Sequence, residues 1–267
     1  MNTRFAALSV MGTWIAVALV APWLAAEGSG LVPFGPDAFH ADALFAMPDR
    51  IHWLGADDRG RDVLSRLVHG SRLAIGVGVS AAAGASLLGL TLGLVAGWNG
   101  RWLDVAAQRL ADVVGSLPGL VLLLAMRAAW GPDRRVLVVV LASLGSVSVF
   151  RLVRGEVRAI VSANWLDAAR VTGLREHRIL LGHVLPSVLG SVRAFVPFLC
   201  AGAILAEASL SFLGVGNADF ASWGEVLAQG RSYADRGAWH LVVFPSCCLF
   251  ATTWAMFRLA DASPPTS

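Results

Sequence analysis

Apolar runs long enough to cross a bilayer recur along this chain of 267 residues, and no other feature limits its fold so much. Inside hydrocarbon a backbone amide finds no water, so a continuous run of about 20 apolar residues must satisfy itself as helix. About six such runs are present, near residues 5–26, 73–97, 113–129, 136–153, 194–213 and 239–257. Turn signals part several of them: Trp98-Asn99-Gly100, Gly131-Pro132-Asp133 and Gly214-Val215-Gly216-Asn217. Charged residues make up 15% of the chain and mean hydropathy is +0.66, whereas a soluble domain carries about a quarter charged residues. The expected fold class is all-α: a polytopic membrane protein with about six transmembrane helices and no room for a separate soluble domain of ordinary size.

The first run follows Arg4 and ends near small residues, as a signal peptide does, but it is long for one and more membrane follows. It reads as an uncleaved N-terminal transmembrane helix, 1–26. A loop with an amphipathic helix follows at 27–72. A core fills 73–258, with a charged loop inside it at about 154–190, and a tail closes the chain at 259–267. All 21 basic residues are arginine. Placing the N-terminus in the cytoplasm puts eleven of them on cytoplasmic faces and nine on the other, the densest group flanking the fourth and fifth runs. These are loop charges at a membrane face, and they do not indicate nucleic acid. Cys200, Cys247 and Cys248 lie in apolar runs without metal-ligand spacing and read as small buried hydrophobes.

Three local patterns stand out. In "ADDRGRDVLSRLVHGSR", Val63, Leu64, Leu67 and Val68 share one helical face, with Arg61, Asp62, Ser65, Arg66 and His69 largely on the other. This predicts a short amphipathic helix, with Asp57 or Asp58 near its start and Gly70 past its end, lying on the membrane or on span ends. Asp57, Asp58 and Asp62 stand among four arginines, which favours ion pairs over a metal. In the second run Ala81, Ala85, Gly89, Gly93 and Gly97 recur every fourth residue. Such a stripe lets a second helix approach closely, either within this chain or from another subunit. In the fifth run Glu207 is an acid inside a span, so it serves a pathway or is a shielded structural group satisfied by Ser211 one turn on.

Several chemistries are missing from the sequence. Without lysine there can be no phosphate-binding loop of the Gly-x-x-x-x-Gly-Lys type, so ATP hydrolysis by that route is excluded. No His-Glu-x-x-His is present, and Ser209 and Ser211 lack a nucleophile-elbow context. A membrane enzyme therefore has no candidate catalytic pair. A stand-alone channel or secondary transporter usually carries more mid-membrane polarity or broken helices, and here there is little beyond Glu207 and the prolines Pro118, Pro197 and Pro245.

The stretch from Arg151 to Arg193 is different: seven arginines, three acids and two histidines interrupt an apolar chain. "NWLDAARVTG" reads as a helix with Asn164 as its cap, Asp167 three residues on and Gly173 in the left-handed position that ends it. "LREHRILLGHVLP" starts a second helix, which Pro186 breaks or kinks before the fifth run. Ala168 and Ala169 form a small-residue patch between them. A helix–turn–helix bracket of this size suits a knob that fits a socket on another protein.

The spacing Asp-Ala-Ala-x-x-x-Gly followed by His-x-Leu-Pro resembles the cytoplasmic Glu-Ala-Ala loop of ABC importer permeases. "LGADDRGRDVLSRLVHGSRL" is similar to the signature of the "C" permease of dipeptide, oligopeptide and nickel importers, and "AEASLSFLGVG" with "SWGEVL" resembles that family's fifth-span region. The chain departs from the pattern at Asp167 (usually Glu), Ala56 (usually Thr), Ser187 (often Asn) and at its C-terminal end. The resemblance implies the type I ABC importer permease fold in the cytoplasmic membrane of a bacterium, a non-catalytic subunit for import of peptides, or of nickel or another small solute. It implies a homologous second permease, one or two P-loop ATPase subunits carrying ATP and Mg, an extracytoplasmic solute-binding protein, and no cofactor, metal or nucleic acid on this chain. It assigns ATPase coupling to Asp167, Ala168, Ala169, Gly173, His183, Leu185 and Pro186.

Overall fold

A computed structural model describes residues 35–216 and 221–261. The span expected at 5–26 and the tail beyond Asp261 lie outside them. Eight helices carry the described residues: α1 (Val63–Asn99), α2 (Arg101–Ser116), α3 (Gly119–Trp130), α4 (Arg134–Val161), α5 (Asn164–Val171), α6 (Glu176–Phe212), α7 (Trp223–Tyr233) and α8 (His240–Asp261). The class is all-α; among the described residues the only strand-like pairing is a single bridge between Ala56 and Asp62. Helices α1, α4, α6 and α8 are each long and apolar enough to span a membrane, and α2 with α3 reaches that length and apolarity only as a bent pair.

That bent pair replaces the proline-interrupted span expected at 113–129, beginning earlier in the chain. The chain turns by 83° between α2 and α3. Leu117 is extended (φ −80°, ψ 132°) and Pro118 stands just before α3, as expected for the residue that precedes a proline, whose ring disfavours helix there. Pro197 and Pro245, by contrast, sit inside continuous helices.

The amphipathic helix expected to end at Gly70 is instead the first turns of α1, which runs unbroken for 37 residues. Its cap is Asp62, not Asp57 or Asp58: the Asp62 carboxylate accepts from the Ser65 N–H at 2.8 Å. Gly70 lies mid-helix because the Trp223 indole packs on it, where a methyl group would stand 2.8 Å from the ring. Nor does the polar face meet water, since Ser65 and Arg66 are buried.

The small-residue stripe is the main seam of the bundle. Gly89, Gly93 and Gly97 of α1 lie against Val149, Val153 and Val157 of α4, and Ala85 lies against Gly145. The constant offset of sixty residues means that α1 and α4 run parallel, which the intervening α2–α3 crossing permits. A methyl group on Gly93 would come within 2.8 Å of Val153 Cβ and 3.1 Å of the Phe150 carbonyl. Of the two partners the stripe could have had, the one found is within this chain.

Helix α2 is amphipathic and is held to α4 by charge. Asp104 is buried and receives both Arg154, with Nη2 at 2.8 Å, and Arg158.

Candidate functional site

The bracket closes the end of the bundle where α1 and α4 finish. Helix α4 stops at Val161, α5 follows two residues later, and Gly173 turns the chain with φ +84°. A side chain on Gly173 would meet nothing within 4 Å, so the constraint inside this chain is the positive φ, which branched residues strongly resist. Helix α5 starts at Asn164 itself, so Asn164 is its first residue rather than the cap expected to precede it.

The bracket is seated by a small apolar core. Leu166 of α5 and Ile179, Val184 and Val188 of α6 are buried together against Val149, Val153 and Val157 of α4, with Ala169 and Leu185 partly buried at its edge. The same valines that face the glycine seam thus hold the bracket. Asp167, Gly173, His183 and Pro186 are exposed, and the His183 ring lies 6.0 Å from that of Trp165. Ala168 lies on α5 between them.

Pro186 does not break the second helix. The helix widens into a π turn at Leu180–Val184, with the Leu185 N–H reaching back five residues to the Leu180 carbonyl. A proline ring clashes with the carbonyl four residues before it and offers no N–H, and a widened turn accommodates both defects. The base of α6 is therefore continuous with its spanning part.

Two features of the bracket escaped the sequence reading. Arg170 pairs with Glu176 across the turn, Nε to Oε1 at 2.9 Å, and with Asp167 at 3.4 Å. The Glu176 carboxylate, with Asp167 behind it, holds the guanidinium above its ordinary pKa, against a slight effect of burial. The second feature is exposed apolar surface beside these charges. Val171 is 88% exposed, and Trp165, Leu174 and Leu181 stand open near it. Exposed apolar side chains beside a polar loop have the composition of a protein- or membrane-contact surface. The signal in the sequence was only their position beside the alanine pair.

At the opposite end, two stretches 150 residues apart meet. The buried Asp57 accepts from Arg61 Nε at 2.7 Å and from the N–H groups of Arg59 and Arg61. Arg66, 1% exposed, reaches Glu225 of α7 at 2.8 Å. The Trp223 indole donates to the Leu67 carbonyl at 2.8 Å, and His240 donates to the Ala56 carbonyl at 3.1 Å. Asp57 and Asp62 are thus occupied by arginine, backbone and, for Asp62, His52 at 3.0 Å. In the loop before α1 the Asp49 carboxylate, held by the N–H groups of His52 and Ile51, lies below its usual range. Among the described residues no group of His, Cys, Asp or Glu has metal-binding geometry.

Glu207 lies near the same end, on α6. It is buried and accepts from the Ser211 hydroxyl at 2.8 Å and from the Ser222 hydroxyl at 2.9 Å. Its contacts are those of a shielded group rather than one lining open space.

A family described as "Binding-protein-dependent transport system inner membrane component" matches residues 89–263. The chain is 32% identical to a putative peptide transport system permease protein of Brucella suis, over 92% of this chain and 81% of that protein. It is 34% identical to a dipeptide transport system permease protein of Alkalihalophilus pseudofirmus, over 80% and 70% of the two chains. It is also 34% identical to a glutathione transport system permease protein of Pectobacterium atrosepticum, over 86% and 77%.

Proposed function

The chain belongs to the binding-protein-dependent transport system inner membrane components, multi-pass permeases, and from that premise we propose that it serves an ATP-driven importer of di- and oligopeptides in the bacterial cytoplasmic membrane. It forms half of the translocation pathway, beside a homologous second permease. One or two P-loop ATPase subunits dock on the bracket and supply ATP and Mg. An extracytoplasmic binding protein delivers the solute. This chain itself catalyses nothing and holds no cofactor. The relatives named for peptide, dipeptide and glutathione transport support the peptide class, because all three solutes are short peptides.

The observation that carries the coupling role is the build of the bracket. A short helix with exposed Asp167 and Val171 is seated on α4 and α6 by buried apolar side chains. Force applied to the knob passes into two spanning helices at once. ATP binding would close the ATPase pair, move the bracket as a rigid body and rock the spans between inward- and outward-facing arrangements.

The test is co-expression with the second permease and a tagged ATPase subunit, followed by purification and reconstitution with the binding protein. Recovery of this chain on the tag, and uptake of a radiolabelled dipeptide that needs ATP, are expected. Uptake without any ATPase subunit would defeat the proposal.

A further inference from the structure

Helix α5 has eight residues, too few to hold a helix or a direction unaided. It joins α6 through the turn at 172–175, where nothing packs on Gly173. A joint of that kind would let a docked partner tilt the knob about its apolar seat, with less of the movement passed to the spans. Leu166 packs on Ile179 across it, and one charged side chain bridges it as well. The Arg170 guanidinium lies fork to fork on the Glu176 carboxylate, Nε–Oε1 2.9 Å and Nη2–Oε2 3.5 Å, the geometry that fixes direction as well as distance. Its third nitrogen reaches Asp167, one turn back on α5. Its central carbon stands 6.0 Å from the ring centroid of Trp98, in the last turn of α1, within range of a cation–π contact. Trp98 in turn packs on the valine core of α4 and α6.

We infer that Arg170 is a positioning residue that makes α5 and the base of α6 move as one lever and passes their movement to the end of α1 through Trp98. Arg170 touches the knob, the first residue of α6 and the foot of α1, and so spans the joint of the bracket and ties it to a third helix. The inference rests on the coupling role proposed above. Because the ion pair is exposed on both sides, it adds little to folding, and its removal separates coupling from stability.

The experiment uses the reconstituted complex of both permeases, ATPase subunits and binding protein, with a tritiated tryptic digest of casein as the peptide source. Three quantities are read: ATPase recovered with the permease pair, ATP hydrolysed, and label taken up. For Arg170→Ala, ATPase recovery stays within about two-fold of wild type, as befits an exposed ion pair. Uptake per ATP hydrolysed falls at least about five-fold, the low end of a coupling between distant sites. Glu176→Gln gives a fall in the same direction, and the double variant is no worse than Arg170→Ala, because that change already removes the pair. Arg170→Lys keeps charge without the fork and lies between. Unchanged uptake per ATP in Arg170→Ala overturns the inference. So does a loss of ATPase recovery matching the loss of uptake, which would make Arg170 a docking contact, or a silent Glu176→Gln. A wild-type pair that retains no ATPase subunit defeats the coupling role itself, before any variant is compared.

Discussion

Where α1 begins, charges turn inward; where α5 lies, charges turn outward and apolar side chains stand in the open. At the first end Asp57 and Arg66 are buried and answered by Arg61, Glu225 and backbone N–H groups, and Trp223 spends its only donor on the Leu67 carbonyl. At the second, Asp167 is 80% exposed, Arg170 and Glu176 pair in the open, and Val171 projects freely. The first end holds its charges inside the fold and has much to lose when one of them is removed. The second is complete as a fold but incomplete as a surface. The contrast predicts that damage at the first end shows as instability, whereas damage at the second leaves a stable protein that fails to couple. Ranked by their effect on stability, six substitutions at four places in the fold probe that claim.

The largest loss is expected from Asp57→Ala. It removes a fully buried carboxylate and strands Arg61 with two backbone N–H groups. Breaking a buried pair from one side costs about 3–5 kcal/mol. Thermal unfolding in detergent should show a clear drop in midpoint. A midpoint equal to wild type would mean that this end is not held by its charges.

Next comes Gly93→Leu in the seam between the ends. Val153 Cβ and the Phe150 carbonyl already stand where the new side chain must go, and overpacking of this kind costs about 1–3 kcal/mol. The loss should appear in this chain's own unfolding, because the face is filled from within. If instead only association with a second permease suffers, the seam has been assigned to the wrong partner.

Glu207 gives the third. Glu207→Gln keeps an oxygen for the Ser211 and Ser222 hydroxyls and should retain most transport. Glu207→Leu leaves both hydroxyls without that acceptor, at about 1–3 kcal/mol. Loss of all transport in a well-folded Gln variant would assign the charge to the pathway.

The seam and the bracket were legible in the sequence to different depths, for physical reasons. Spans announce themselves because hydrocarbon demands length and apolarity, both local properties. The stripe at every fourth residue was equally local, but its partner was not: Val149, Val153 and Val157 have the same spacing, and valine is too common in a span to stand out. Gly70 reads as a helix end because that is glycine's usual local meaning. Its actual neighbour, Trp223, lies more than 150 residues away. Proline is ambiguous in the same manner. Pro118 marks an 83° turn while Pro197 and Pro245 leave their helices continuous, and which occurs depends on neighbours that satisfy the freed carbonyls. The knob could be found by motif, through Asp167, Ala168, Ala169 and Gly173. The Arg170–Glu176 brace could not, because a pair six residues apart across a turn fits no helical spacing.

The smallest effect on stability, and the sharpest on function, is expected at the bracket. Gly173→Leu places a branched side chain at φ +84°, which costs about 1 kcal/mol or a little more for a residue with a Cβ. Nothing in this chain stands in its way, so that backbone cost is the whole internal penalty, and the unfolding midpoint should fall only slightly. The volume, however, is added on the exposed face of the turn, where a socket would have to close. Ala169→Trp adds bulk without backbone strain, since Ala169 is helical and only partly buried. The two variants therefore share volume and differ in φ. If both yield an inserted permease pair with a near-normal midpoint, little recovered ATPase and no peptide uptake, volume at the knob is the cause and the two ends of the bundle do divide stability from coupling. If Gly173→Leu alone fails, the turn's conformation matters and the socket does not. If both retain ATPase and transport, the bracket is not where the ATPase docks, and the outward-turned end has lost the role that distinguishes it.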